Sequence, residues 1–199
     1  MVEFTPKLPI EKKNAIANLG AGLIEKVALK FSRNFWSKKT GGSDFFGRVP
    51  SSSSNRGSCG IFYDLSRKST PKKSHVLMTV LTGELALQAS SMSDIQIVQH
   101  VLDLLKGLFP GETMPKPDKY IVSHWGQDPY SGMAYSFVPL GSTGQDYDEI
   151  AKSLEDKLFF AGEATNRQFP QTVTGAYLSG IREAEKILMK KFEEEEGFL

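Results

Sequence analysis

The stretch from Leu158 to Gly180 constrains the fold more than any other part of this 199-residue chain. A short apolar run over residues 158–161 predicts a buried strand of the parallel kind, and Gly162 and Glu163 follow it. From Val173 onward, small and apolar residues recur at helical spacing, which predicts a closely packed helix. The order of strand, loop and helix is typical of an α/β unit.

The loop between this strand and helix carries residue types that suit a polar cofactor. Gly162 lets a ligand approach the backbone, and the Glu163 carboxylate can accept a hydrogen bond from a sugar-like hydroxyl. Gln171, Thr172 and Val173 open the helix, where unpaired N–H groups favour an anion or an electron-rich ring. A strand, a loop and a helix with no ligand would have the same geometry, because fold does not dictate function.

Composition excludes several classes of protein. With 40% hydrophobic and 24% charged residues, the chain can bury a core and is not a disordered tail. Its formal net charge of +1 gives no overall electrostatic footprint for nucleic acid or for a membrane surface. Cys59 is the only cysteine, which excludes an intrachain disulfide and fits a reducing compartment. The sequence has no run of about 20 apolar residues, so we predict no membrane span.

Most of the chain before residue 125 predicts an antiparallel sheet with helices. Alternation of residue types predicts a strand from Leu23 to Lys30. Further strands are predicted at residues 45–49, 59–65, 76–81 and 120–124. Helices are predicted at residues 9–19, 83–89 and 94–108, the last with Ser93 as its N-cap. Together with the C-terminal unit, these elements predict an α+β fold with an α/β portion.

Two charged stretches and the histidines have ordinary interpretations. The basic turn at residues 66–75 is a solvated loop, with a nuclear address or an acidic-partner contact as the alternative. The acidic end, Glu193 to Glu196, is predicted to serve solubility. His75, His100 and His124 have no ligand spacing among them, so we predict no metal site.

Lys26 stands in the middle of the predicted strand, with Ile24 and Ala28 on the same face. The ordinary interpretation is a solvent-facing lysine. The functional interpretation is a buried ammonium that is poised in an active site. Lys30 lies four residues further along, on the same face, and is the structural control position.

The segment from Trp125 to Phe137 is rich in aromatic residues. The ordinary interpretation is a turn packed on the core, since aromatic side chains usually fill cores. The functional interpretation is an aromatic wall beside a ligand, because a π face attracts an alkylammonium. Tyr130 and Tyr135 lie in this segment.

Gly20 and Gly22 look like the start of a dinucleotide-binding fingerprint. No third glycine follows at the needed spacing and no strand precedes them, so we expect them to end the first helix. The full G-x-G-x-x-G motif does not occur in this sequence.

The residues of the 158–180 stretch, the Lys26 strand and the aromatic segment resemble those of the flavin-dependent amine oxidases, and in particular the lysine-specific histone demethylases of the 1B type. The resemblance runs from about Thr5 to about Lys190. It implies a partial flavin amine oxidase fold: residues 1–125 would form mostly the substrate-binding lobe, and residues 126–199 would return to the FAD-binding lobe. The N-terminal Rossmann half, with its phosphate loop, would be absent from this chain.

The resemblance also implies roles for individual residues. Lys26 would be catalytic, bonding a water beside flavin N5, while Tyr135 and Thr172 would shape the cavity for the substrate amine. Thr172 stands where small-amine oxidases generally have an aromatic residue, so the cavity would admit a peptide. Tyr130 departs from the family pattern, because close relatives often have Trp there. The residues implied to bind FAD are Trp125, Tyr130, Gly162, Glu163, Gln171, Thr172 and Val173.

The reaction implied by the resemblance is oxidative demethylation of mono- or dimethyl-lysine on the histone H3 tail, in the nucleus. A hydride would pass from the N-methyl carbon to flavin N5, and water would hydrolyse the resulting iminium to formaldehyde and lysine. Dioxygen would reoxidise the flavin and yield hydrogen peroxide. Trimethyl-lysine would not react, because its nitrogen has no lone pair. The expected partners are the histone tail and chromatin-associated proteins.

Two alternatives stay open. The first is a polyamine oxidase, which uses the same C-terminal motif on a small linear amine. The link over residues 141–158 lacks the long Pro-rich insertion of one demethylase branch, which favours the other branch or a polyamine oxidase. The second alternative is a truncated, catalytically incompetent fragment or a flavin-less binding module. For the 199 residues alone we expect weak FAD binding or none.

Overall fold

The computed structural model describes residues 2–50, 52–53, 57–66 and 74–196, and the chain divides into two compact units. We call Leu23–Ala134 the sheet unit, and we call Met1–Gly22 together with Tyr135–Leu199 the terminal unit. Most of the basic turn, residues 67–73, and the side chains of Glu193 to Glu196 lie outside the described part.

The described elements are strands, α-helices and short 3-10 turns. The strands are β1 Gly20–Gly22, β2 Ile24–Phe31, β3 Phe45–Gly47, β4 Ser58–Asp64, β5 His75–Thr82, β6 Lys119–Val122 and β7 Tyr135–Phe137. The helices are α1 Ile10–Asn18, α2 Ser37–Thr40, α3 Glu84–Ala89, α4 Asp94–Leu108, α5 Gln145–Ala151 and α6 Val173–Glu196. Short 3-10 turns occur at Trp125–Gln127 and Glu163–Thr165.

The sheet unit contains a five-stranded sheet in the order β3-β4-β5-β2-β6, and each neighbouring pair is antiparallel. The predicted antiparallel sheet and the mixed α and β content are therefore confirmed. β2 lies between β5 and β6, and Glu25, Val27 and Leu29 are buried while Lys26 and Lys30 are exposed. This alternation follows from the pleat, which directs successive side chains to opposite faces.

Helix α4 and a cluster of aromatic side chains form much of the core of the sheet unit. The predicted N-cap is confirmed: Ser93 and Gln96 form a capping box at the start of α4. The predicted stripe of α4 packs into the core, with Ile97, Val101 and Leu105 at most 2% exposed. The edge-to-face rings that extend this core are Phe31, Phe35, Trp36 and Phe109.

The terminal unit is held together differently. Strands β1 and β7 pair, and the buried Lys12 of α1 reaches the end of α5. Its Nζ donates hydrogen bonds of 2.7–2.9 Å to the carbonyl oxygens of Glu149, Ile150 and Lys152. These carbonyls belong to the C-terminal turn of α5, where helix carbonyls lack intrahelical partners and favour a cation. The same ammonium lies 4.1 Å from the centre of the Phe160 ring.

The predicted strand over residues 158–161 is wrong. Leu158 makes an isolated antiparallel bridge with Leu154, and residues 159–161 have no regular structure. No described strand lies beside this run to supply a parallel ladder, and Leu158 is 38% exposed rather than buried. An apolar run forms a strand only where a neighbour pairs with its backbone.

The predicted C-terminal helix is confirmed as α6, but its packing differs from the prediction. Gly175 and Ser179 are buried, whereas Val173 is 87% and Tyr177 is 69% exposed. A side chain at Gly175 would overlap the carbonyl oxygen of Phe169, so close packing is confined to one side of the helix. None of the helices in the described ranges is both long enough and apolar enough to cross a bilayer.

Candidate functional site

The predicted site residues fall on both units, and each group is described within its own unit. Three of them, Lys26, Trp125 and Tyr130, belong to the sheet unit. The others belong to the terminal unit: Tyr135, Gly162, Glu163, Gln171, Thr172 and Val173.

Lys26 lies on the exposed face of β2, opposite Val80 of β5. The expected burial of its ammonium is therefore not found in the described structure. The physical reason is the strand alternation: with Glu25 and Val27 directed into the core, Lys26 points to the opposite face, and its side chain remains exposed. Its catalytic role stays a prediction.

The backbone of Lys26 is held on both sides by Ser123. The Lys26 N–H donates to Ser123 Oγ at 2.7 Å, and the Ser123 N–H donates to the Lys26 carbonyl oxygen at 2.9 Å. The Ser123 hydroxyl in turn donates to Glu25 Oε2 at 2.6 Å, and the Gly126 N–H donates to Glu25 Oε1 at 3.1 Å. The carboxylate of Glu25 is 3% exposed and connects the strand to the turn that carries Trp125.

Glu25 was missed as a functional candidate by the sequence reasoning. One signal could have found it, because it is the charged residue on the face of β2 that also carries Val27 and Leu29. A carboxylate at a core position needs hydrogen-bond donors, and these donors come from residues about 100 positions later in the chain.

The aromatic residues of the sheet unit are accessible rather than packed in its core. Trp125 is 45% exposed, and Tyr130 is 97% exposed. The Asp128 carboxylate shapes the turn between them by accepting hydrogen bonds from the N–H groups of Tyr130 and Ser131, at 2.8 and 3.0 Å. Both rings can therefore contact another group, and Tyr130 does not fit the interpretation as a core aromatic.

Tyr135 lies over Gly22, its direct partner in the β1–β7 pair. A Cβ atom at Gly22 would overlap the Tyr135 ring, and a Cβ at Gly20 would overlap the ring of Phe137. The expectation that these glycines only end the first helix is wrong, since they form a strand whose missing side chains make room for two aromatic rings.

Glu163 accepts three hydrogen bonds from its own unit. Ser136 donates through its N–H to Oε1 at 2.9 Å and through its hydroxyl to Oε2 at 2.8 Å. The N–H of Gln171 donates to Oε2 at 2.7 Å. A carboxylate can accept about four hydrogen bonds, so these three occupy most of its capacity. Glu163 thus connects the neighbour of Tyr135 to the neighbour of Thr172.

The start of α6 presents an open surface. Thr172 caps the helix, because its hydroxyl oxygen accepts a hydrogen bond from the N–H of Gly175 at 2.9 Å. Gln171, Thr172 and Val173 are exposed. Gly162, with φ at 135°, has no heavy atom within 4 Å of the place where a Cβ would stand. A flat polar group can approach the backbone here, so these residues fit the predicted cofactor.

Arg182 and Glu183 of α6 hold the segment that precedes and follows Gly162. Arg182 donates to the carbonyl oxygens of Thr165 at 2.8 Å and Phe160 at 3.0 Å, and it pairs with the buried Glu183. Burial acts to raise the pKa of Glu183, but hydrogen bonds from Arg182 and Lys186 outweigh it, so the pKa lies below its ordinary value. These residues fix the segment around Gly162 to α6, and sequence reasoning did not find them.

Comparison with known proteins identifies the family. Residues 1–188 match the family described as flavin containing amine oxidoreductase. The chain belongs to this family. The prediction made from the C-terminal motif is therefore confirmed, as is the flavin dependence that goes with the family.

The similar curated proteins are named as demethylases. Lysine-specific histone demethylase 2 from Homo sapiens is 50% identical over 187 residues, and lysine-specific histone demethylase 1B from Mus musculus is 49% identical over 186. Lysine-specific histone demethylase 1 homolog 1 from Arabidopsis thaliana is 44% identical over 190 residues. Each comparison covers 94% of this chain but 22% of the relative. The chain thus spans a small part of the length of these relatives.

Solved structures of amine oxidases share the fold. A putrescine oxidase bound to putrescine has a TM-score of 0.73 at 21% identity. The match covers 94% of this chain and 40% of the oxidase chain. Cyclohexylamine oxidase from Brevibacterium oxydans IH-35A has a TM-score of 0.68 at 20% identity. This match covers 98% of this chain and 40% of the oxidase chain. The predicted partial amine oxidase fold is confirmed, while the roles of single residues and the division into lobes stay predictions.

Proposed function

We propose that this chain supplies the substrate-binding sheet and the C-terminal flavin motif of an FAD-dependent histone demethylase. The substrate would be mono- or dimethyl-lysine on the histone H3 tail, and the products formaldehyde and hydrogen peroxide. One observation carries the proposal: 50% identity to human lysine-specific histone demethylase 2 over 94% of the chain. Identity to the solved small-amine oxidases is much lower, at 20–21%.

Several predicted site residues lie in surroundings that permit the proposed roles. When bound, FAD would supply the oxidant that removes a hydride from the N-methyl carbon. The exposed Lys26 would hold a water near the reacting carbon, and Tyr135 would orient the amine through its π face. The open backbone at Gly162 and the exposed Val173 would lie against the cofactor.

Glu163 would act mainly by organising its neighbours. Its three hydrogen bonds join Ser136, beside Tyr135, to Gln171, beside Thr172. In this role the carboxylate fixes both residues that are predicted to shape the amine cavity. The Glu163 carboxylate could then accept about one further hydrogen bond, for example from a sugar-like hydroxyl.

The proposed location is the nucleus, with chromatin-associated proteins as partners. This part of the proposal rests on the histone demethylase relatives. The formal net charge of +1 supports a partner that is recognised by local contacts, because no large excess of positive charge is present to attract DNA.

A direct comparison of substrates tests the function. The FAD-loaded protein that contains this chain is incubated with dimethyl-lysine H3 peptides, the trimethyl-lysine forms, or spermine. We expect formaldehyde and hydrogen peroxide from the dimethylated peptide and no reaction with the trimethylated form. Oxidation of spermine without any reaction of the peptides would instead identify a polyamine oxidase.

A second candidate is that the 199 residues are catalytically incompetent by themselves. Exposed apolar side chains along α6, such as Tyr177, and the missing G-x-G-x-x-G motif favour this candidate for the isolated chain. Titration of the purified 199 residues with FAD tests it. We expect a colourless protein after desalting, and a stoichiometric yellow complex would contradict this expectation.

A further inference from the structure

We propose that Glu25 is a positioning residue for the proposed demethylase site. Its buried carboxylate would act through two neighbours, the catalytic candidate Lys26 and the aromatic candidate Trp125. This inference rests on the proposed function for its catalytic consequence, but its structural part can be measured without cofactor or substrate.

The two carboxylate oxygens of Glu25 bind two separate points of one turn. Oε2 accepts from the hydroxyl of Ser123 at 2.6 Å, and Oε1 accepts from the N–H of Gly126 at 3.1 Å. These points flank His124 and Trp125. One side chain on β2 therefore contacts the chain on both sides of Trp125.

The same hydrogen bonds determine the backbone position of Lys26. Ser123 Oγ donates its proton to Glu25, which leaves its lone pairs to accept the N–H of Lys26 at 2.7 Å. The Ser123 N–H donates to the Lys26 carbonyl oxygen at 2.9 Å. Because Glu25 orients this hydroxyl, loss of the carboxylate would loosen the contact nearest to Lys26.

The chemistry of the site requires a carboxylate. Both groups that face Glu25 are donors, and an ionised carboxylate is an acceptor at both oxygens. A glutamine oxygen would still accept from the Gly126 N–H, but its NH₂ group would face Ser123 Oγ, whose proton would then lose its acceptor. Within the described ranges no cation lies in ion-pair distance of Glu25, so the two neutral donors provide its stabilisation.

Packing limits how the turn can respond. A Cβ at Gly126 would lie 3.1 Å from Leu23 Cδ1 and 3.6 Å from Ser90 Oγ, so the backbone at Gly126 is already close to its neighbours. The turn also keeps the contact of His124 Nε2 with Asp94 Oδ1 at 2.8 Å and the hydrogen bond from Gln127 to the Ser90 carbonyl oxygen. Loss of the Glu25 carboxylate would therefore loosen the turn rather than release it. Such loosening would shift Trp125, which is 45% exposed.

The structural test uses the 199-residue chain and the Glu25→Gln variant. We expect faster amide hydrogen exchange at Gly126, whose N–H bonds the Glu25 carboxylate, and at Lys26, whose N–H bonds the Ser123 hydroxyl that Glu25 orients. We also expect stronger acrylamide quenching of tryptophan fluorescence, since Trp36 is fully buried and Trp125 supplies the accessible signal. The matched control is Asp64→Asn, a buried carboxylate of the same unit that bonds Trp36 Nε1.

The catalytic test uses the FAD-loaded protein and measures flavin reduction by dimethyl-lysine H3 peptide without oxygen. Glu25→Gln should slow reduction on the order of 10- to 100-fold, as expected when a reacting group is displaced by about 1 Å. In a Lys26→Met background, Glu25→Gln should have little further effect, because both changes disable the same step. Asp64→Asn should combine additively with Lys26→Met.

The outcomes separate the two proposals. No flavin reduction by the dimethyl-lysine peptide in the unsubstituted protein would overturn the proposed function, whereas a Lys26→Met protein with a normal reduction rate would overturn the catalytic role of Lys26. A slow Lys26→Met protein in which Glu25→Gln adds its full effect would overturn only the positioning role. Unchanged exchange at Lys26 and Gly126 in Glu25→Gln would also overturn that role.

Discussion

The two units of this chain are stabilised by different kinds of contact. The sheet unit has an apolar core that includes Val27, Phe62 and Leu105, each at most 1% exposed. In the described part of the terminal unit, the buried apolar side chains are Ala15 and Tyr147. Its other buried side chains are polar or charged: Lys12, Thr165, Ser179 and Glu183.

This difference shows how a unit with little core can still hold a defined site. Buried polar groups are costly unless they are hydrogen-bonded, so each of them specifies one arrangement of the chain around it. In the terminal unit such bonds connect Ser179 to the N–H of Gly162 and Lys12 to the end of α5. Its apolar side chains on α6 remain available to another surface.

The largest expected effect compares two leucines. Leu105→Ala removes a fully buried side chain from the sheet unit and should lower the free energy of unfolding by about 3 kcal/mol. Leu188→Ala, at a position 54% exposed on α6, should change it by less than about 0.5 kcal/mol. Urea unfolding of both variants measures this. Equal effects would contradict the contrast between the two units.

Lys12 tests whether polar contacts hold the terminal unit. Lys12→Met keeps an unbranched chain but leaves three carbonyls at the end of α5 without their donor, which should cost about 2 kcal/mol. Lys13→Met, at the exposed neighbouring position, is the control and should be close to neutral. Thermal unfolding provides the measurement, and a neutral Lys12→Met would show that α1 and α5 are held by something else.

Glu183 provides a pH-dependent version of the same test. Its pKa is lowered by Arg182 and Lys186, so its contribution is complete above the ordinary glutamate pKa of about 4.3 and disappears as pH falls through the lowered value. Glu183→Gln should cost about 1.5 kcal/mol at pH 7. The difference in Tm between the two proteins should shrink below about pH 4.3.

Glu185→Gln is the control for this experiment, because Glu185 is an exposed residue on the same helix. Its Tm difference from the original chain should be small at every pH. A Glu183→Gln difference that stays constant from pH 7 to pH 3 would contradict the assigned ion pair.

The smallest expected effect concerns Gly22. In Gly22→Ala the new Cβ would overlap the Tyr135 ring, so the ring must shift, with an expected cost of about 1 kcal/mol. Gly60→Ala is the control, because the corresponding Cβ in β4 meets open space. Chemical shifts of the Tyr135 ring protons should move in Gly22→Ala and not in Gly60→Ala. An unmoved ring would show that β1 and β7 adjust instead.

Local patterns were sufficient to predict the strands and the two longer helices of the sheet unit, but not the short helix α2. The alternation in β2 and the cap of α4 depend on residues that are adjacent or one turn apart. The run at residues 158–161 could not be predicted in this way, since an apolar run does not show whether a neighbouring strand exists. The exposed face of α6 was missed for the same reason.

The site was predicted in part. Gly162 and the exposed start of α6 match a surface that a cofactor can approach. The bonding of Glu163 to Ser136 and of Glu25 to Gly126 joins residues 27 and 101 positions apart. Nothing in the local sequence specifies such partners, because they follow from the tertiary fold. The exposure of Lys26 could have been predicted from the pleat alone.

The most direct test of the catalytic role proposed for Lys26 is flavin reduction in Lys26→Met compared with Lys30→Met. Both lysines are exposed on the same face of β2, four positions apart, so the Lys30 variant controls for the loss of a charge and of an exposed strand side chain. With dimethyl-lysine H3 peptide and no oxygen, we predict that Lys26→Met reduces the rate by about 100-fold or more and Lys30→Met leaves it nearly normal. Equal rates for the two variants would contradict the account.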